Sequence, residues 1–129
     1  MKTVIKAINK ANKGNLGYLN KAIRVYGYSL SIQGSDGHYC SPRAKLMDIE
    51  GYTSMEMAIS KGVDYKGTYK ILEDKCLKAW EGYDELISKG DGIGSEDDGY
   101  FPVYRWVSVD LINSLYLYLR KLELFNNNI

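Results

Sequence analysis

The hydrophobic pattern of this chain changes period at Tyr28, and that switch constrains the fold more than any other feature. Before it, apolar residues recur at helical spacing, first as Val4, Ile5, Ile8 and Ala11 and then as Leu16, Leu19, Ile23 and Tyr26. After it, Tyr28, Leu30 and Ile32 alternate with Ser29, Ser31 and Gln33, the period-two pattern of a half-buried strand. Gly14 is placed to stop one helix, Asn15 to cap a second and Gly27 to end it. The spacing therefore predicts a helical hairpin over residues 1–27 followed by a strand-rich section over 28–67.

Within that section, Gly34-Ser35-Asp36-Gly37 is turn chemistry, and residues 38–43 return as a second strand with Pro42 at its end or on an edge. Residues 45–50 and 53–60 extend the sheet on either side of Gly51. Thr68 can cap a long amphipathic helix filling residues 68–89, its stripe being Leu72, Cys76, Trp80 or Ala79, Tyr83 and Ile87. Residues 90–99 form an acidic, glycine-rich loop with Asp91, Glu96, Asp97 and Asp98. Residues 100–129 supply a last strand and a C-terminal helix. In the strand, Phe101, Val103 and Val107 are set against Tyr104 and Trp106. The helix is capped by Ser108 and buries Leu111, Ile112, Leu115, Leu119 and Leu122. Strands grouped rather than alternating with helices indicate α+β, with a mainly antiparallel sheet of three to five strands and two amphipathic helices beyond the hairpin.

A chain of 129 residues suits one domain, and no internal repeat or linker divides it. Two cysteines, Cys40 and Cys76, do not make a disulfide framework and suit a reducing, cytoplasmic setting. No apolar run is long enough for an export signal or a membrane span, so no membrane partner is expected.

Chemistry is sparse. His38 and Cys40, two apart on an expected strand, share a face, but no third group orients them as base and nucleophile. Neither cysteine belongs to a Cys-x-x-Cys clip, so no metal site is nucleated. The glycines at 90, 92 and 94 follow a helix and precede a strand, the reverse of a dinucleotide-binding loop, and nearby acids would repel phosphate. Glu73-Asp74, Asp84-Glu85 and Asp97-Asp98 are adjacent pairs, and neighbours on a helix diverge instead of sharing a proton. No catalytic residue, metal or cofactor is expected.

Charge is distributed unevenly. Lys2, Lys6, Lys10, Lys13, Lys21 and Arg24 all precede the first acid, Asp36. A lysine every four residues on one helix face, with tyrosines nearby, matches proteins that track a nucleic-acid backbone. Those six cations are the candidate nucleic-acid contacts. A second candidate surface lies in the aromatic segment at the far end, with Tyr100, Tyr104, Arg105, Trp106 and Tyr116 beside Asp97 and Asp98. Trp, Tyr and Arg dominate interface hot spots. The leading expectation is a non-catalytic module that binds a protein partner through this second set, with nucleic-acid binding by the basic hairpin as the alternative. In style alone, a compact tyrosine-rich domain without a catalytic set resembles the small accessory proteins of phages and mobile elements. That resemblance implies an inhibitor that acts by occupying a larger host complex.

Overall fold

The computed structural model describes residues 1–13, 19–61, 69–91 and 103–127. It is α+β, an antiparallel sheet against which the N- and C-terminal helices pack together. Helix α1 (Thr3–Ala11) buries Val4, Ile5 and Ile8 and turns Lys6 and Lys10 to solvent. The strands are β1 (Ile23–Val25), β2 (Tyr28–Gln33), β3 (Ser54–Lys61), a two-residue β4 (Gly90–Asp91) and β5 (Val103–Ser108). Their order across the sheet is β1-β2-β3-β5-β4, every neighbouring pair being antiparallel. Helices α2 (Lys75–Lys78) and α3 (Tyr83–Ser88) are short, and α4 (Val109–Asn127) closes the chain. The core joins Ile5 and Ile8 of α1, Leu30, Met55 and Met57 of the sheet, and Ile112, Leu115 and Leu119 of α4.

Gly14, Asn15 and Leu16, which were expected to stop the first helix and start the second, lie outside the described residues, and from residue 19 onward the second helix of the hairpin does not form. Ile23 and Val25 are buried on either side of exposed Arg24, and Leu19, which a helix would have buried, is 65% exposed. Val25 instead faces Tyr28 across a two-residue turn, Tyr26–Gly27, with φ of +51° and +81°. Two successive left-handed residues make a type I′ turn, whose twist suits flanking strands. Gly27 thus belongs to a β-hairpin and not to a helix end. The turn is clasped from α4: the Tyr26 amide donates to Glu123 Oε2 at 2.6 Å, and Asn126 Nδ2 donates to the Tyr26 hydroxyl at 2.9 Å. Leading into β1, Asn20 and Gln33 exchange amide hydrogen bonds of 2.7 and 2.8 Å, and the Lys21 amide donates to Asn12 Oδ1 at 3.0 Å.

Residues 38–43 and 45–50 are not strands either. The chain there runs as turns, with one 3-10 turn at Ile49–Gly51 and a single bridge from Ser41 to Ser54. The expected helix over 68–89 is broken in its described part into a 3-10 turn (Ile71–Glu73), α2 and α3. The expected stripe is not the buried one: of its residues only Trp80 is buried and Leu72 is exposed, while Ile71, Leu77 and Leu86 fill the core. Asp74 breaks the helical register by accepting the Leu77 amide at 3.0 Å and so starting a new helix. Trp80 then folds back into the core, held by a 3.1 Å bond from its Nε1 to Ser114 Oγ. Its ring fills the space beside Gly82, where a Cβ would come within 2.3 Å of Trp80 and 2.7 Å of Leu111. Gly82→Ala is therefore expected to cost about 1–3 kcal/mol by overpacking, measured as a shift in the urea midpoint at unchanged m.

Helix α4 follows the sequence closely. Ser108 Oγ accepts the Leu111 amide at 3.1 Å, and Leu111, Ile112, Leu115 and Leu119 are buried, with Leu122 half-buried. No helix among the described residues is long and apolar enough to cross a membrane.

Candidate protein-binding site

The site begins with a bulge in β5. Met57 pairs with Tyr104 and Met55 with Val107, so three steps along β5 oppose two along β3. The extra residue is accommodated by Trp106, whose φ of +48° is an outlier for so bulky a side chain. The bulge also overturns the expected division of faces. Tyr104, only 1% exposed, turns inward together with Val107, while Trp106 points out and is 43% exposed. Tyr104 is thus a core residue and is removed from the candidate interface.

Around Trp106 the loop before β3 supplies a partner that sequence reasoning missed. The Trp106 amide donates to the Tyr39 carbonyl at 3.1 Å, and the two rings meet edge to face with centroids 5.1 Å apart. The Arg105 guanidinium lies 4.2 Å from the centre of the Tyr39 ring and that of Arg43 lies 5.1 Å from it. The Tyr39 amide in turn donates to Glu56 Oε2 at 2.9 Å, and the Arg105 amide to the Lys89 carbonyl at 3.0 Å. Tyr39 and Arg43 thus join Arg105 and Trp106 in one aromatic and cationic patch. Their separation in sequence left no local signal for the pairing.

The other candidate interface residues do not join it. Tyr116 lies on α4, against a different part of the surface. Tyr100, Asp97 and Asp98 lie outside the described residues, as does most of the acidic loop.

The basic residues of the N-terminal segment are partly regrouped. Lys6, Lys10 and Arg24 line a groove of about 560 Å³ between α1, β1 and α4. Lys2 pairs with Asp110 at 2.5 Å, and Lys13 and Lys21 are exposed away from the groove lining.

Two other polar clusters lie among the described residues. Ser35 Oγ and His38 Nδ1 are 2.6 Å apart, and Cys40 Sγ lies 3.2 Å from the Ser35 carbonyl oxygen. The expected shared face of His38 and Cys40 is replaced by a tight turn, with Ser35 0% exposed at its centre. A hydroxyl buried that completely has no route to a substrate.

The second cluster surrounds Asp74. Its Oδ2 accepts the hydroxyls of Tyr28 at 2.6 Å and Tyr69 at 2.9 Å, while Lys61 lies over the Tyr28 ring at 4.9 Å. Burial alone would raise the Asp74 carboxyl, but the Tyr28 hydroxyl, the Leu77 amide, the Tyr69 hydroxyl and Lys61 together hold it below its ordinary value. Burial, and then the Asp74 charge and hydrogen bonds, push both tyrosine hydroxyls up. The result is an ionised carboxylate held by committed donors. Its effect is to tie residues 69–77 to β2. Among the described residues no three His, Cys, Asp or Glu side chains gather as a metal site would require.

Set against models of known protein families, curated proteins and solved structures, the chain matches none, so this site is read from its own geometry.

Proposed function

We propose that the chain is a non-catalytic binding module that recognises a protein partner through Tyr39, Arg43, Arg105 and Trp106. The observation carrying this reading is the exposed Trp106 ring, fixed at a strained bulge and braced by the Tyr39 ring. Left-handed backbone at a bulky residue is maintained only where the surroundings over-determine it, and such strain gathers at binding and switch sites. The local framework supplies that bracing through the Tyr39 carbonyl and the β3 register. A side chain held in place before contact loses little freedom on binding, which favours affinity. Two guanidiniums beside the rings match a partner that presents carboxylates around an apolar spot. A module of this kind acts by occupying its partner's surface.

The test is affinity capture with wild-type protein, Trp106→Ala and Arg105→Ala, with circular dichroism and melting curves recorded on each. Trp106→Ala should weaken capture of the wild type's partner by about 30-fold or more while the fold persists, as expected of a hot-spot tryptophan. Capture of the same partner with equal affinity by folded Trp106→Ala removes this site from consideration.

A further inference from the structure

We propose that the groove between α1, β1 and α4 is a binding site for single-stranded nucleic acid, separate from the Trp106 patch. Four cations line it: Lys6 and Lys10 from α1, Arg24 from β1 and Arg120 from α4. None of the described lining residues is acidic. Beside the groove, Glu123 Oε1 lies 3.0 Å from Arg120 Nη1 and its Oε2 holds the Tyr26 amide. Arg120 thereby has a fixed starting position, with its remaining donors available to a second acceptor.

The lining residues differ in exposure, the four cations being exposed and Tyr116, Ala7 and Ala11 half-buried. Tyr116 is half-buried against the core and shares the lining with Ala7, Ala11 and Ala22, side chains that end at Cβ. Exposed cations beside a half-buried tyrosine and alanine methyls suit a ligand that carries both anions and planar groups. A single strand has that form, and its bases stack on tyrosine whatever their identity. An acidic peptide has the anions but nothing flat to set against Tyr116. Lys6 and Lys10 stand one helical turn apart, about 6 Å along the axis, which follows an extended backbone and not a lone phosphate. The sequence alone offered three of these cations, placed Tyr116 on another surface and gave no reason to add Arg120.

The experiment is fluorescence anisotropy with labelled oligonucleotides of about 12 nucleotides, a length matching typical single-strand sites. Poly-dT, a matching duplex, an abasic strand and poly-glutamate are compared. Neutralising four phosphates on a single strand gives a slope of about −2.8 in log K against log salt, roughly a 50-fold loss between about 50 and 200 mM. Lys6→Gln with Lys10→Gln should reduce that slope by about 1.4. Tyr116→Leu, which removes the ring but keeps an apolar side chain, should weaken poly-dT about five-fold or more and leave the abasic strand unaffected. Lys45→Gln, away from the groove, should change nothing, and melting curves show each variant folded. Absence of binding at low salt overturns the proposal. Poly-glutamate or duplex binding as tightly as poly-dT, or an unchanged slope in the double lysine variant, overturns it as well.

Discussion

Asp74→Ala will lower the stability of the fold by about 3 kcal/mol, made up of a lost helix cap and two buried hydroxyls left without an acceptor. The Tyr28 hydroxyl sits on a side chain that is 0% exposed, so water cannot replace the carboxylate there. For a chain of this size the loss corresponds to a fall in melting temperature of about 10–15 °C. Asp74→Asn keeps an acceptor for the Leu77 amide and should fall between the two proteins. The pH dependence gives an independent check. The folded carboxyl lies below its ordinary value of 3.8, so in acid the unfolded chain takes up its proton first. The contribution of Asp74 is therefore complete above that value and is lost as pH falls below it through the folded pKa. Urea midpoints taken at neutral pH and near pH 3 should show the difference between wild type and Asp74→Asn shrinking in acid. A constant difference would mean that the network does not depend on the charge.

Trp106 offers a reversal of sign. Replacing alanine by glycine in a strand ordinarily destabilises it by roughly 0.5–1 kcal/mol. At position 106 the backbone is left-handed, with φ of +48°, and there a Cβ is the liability. Trp106→Gly should consequently be more stable than Trp106→Ala by about 1 kcal/mol, since both lose the ring but only one is relieved of strain. Chemical denaturation of the two variants side by side decides the matter. Both should lose the partner equally, because the recognition surface is the ring. If glycine proves the less stable of the two, the chain in solution does not hold the left-handed bulge. The argument that Trp106 is fixed for binding would then fall with it.

Elements whose period was long and unambiguous were legible. Helix α1, helix α4 with its Ser108 cap, and strands β2, β3 and β5 lie within a few residues of where the sequence puts them. The errors arise where two periods fit one set of residues. Ile23 and Tyr26 belong to a helical series, yet Ile23 and Val25 also alternate around Arg24, and the choice was made by Tyr26 accepting a left-handed backbone under the clasp of Glu123. In residues 68–89 a single helical stripe was expected, but the cap at Asp74 and the burial of Trp80 against Ser114 split the segment, so that Ile71, Leu77 and Leu86 are buried in place of Leu72, Cys76, Tyr83 and Ile87. Such long-range contacts leave no trace in a local window. The same holds for the sites. Arg105 and Trp106 were visible as residue types, whereas Tyr39 and Arg43 reach them only because β5 carries a bulge.

The clasp on the Tyr26–Gly27 turn joins residues 97 and 100 positions apart. A hairpin closes in roughly 1–10 μs, but a ribosome adding about 5–20 residues per second takes several seconds to deliver its latch. During synthesis the first hairpin must form and reopen many times before Glu123 arrives to hold it. The β1–β2 edge of the sheet is thus timed by helix α4 and is held only once residues 97 and 100 positions downstream have been made.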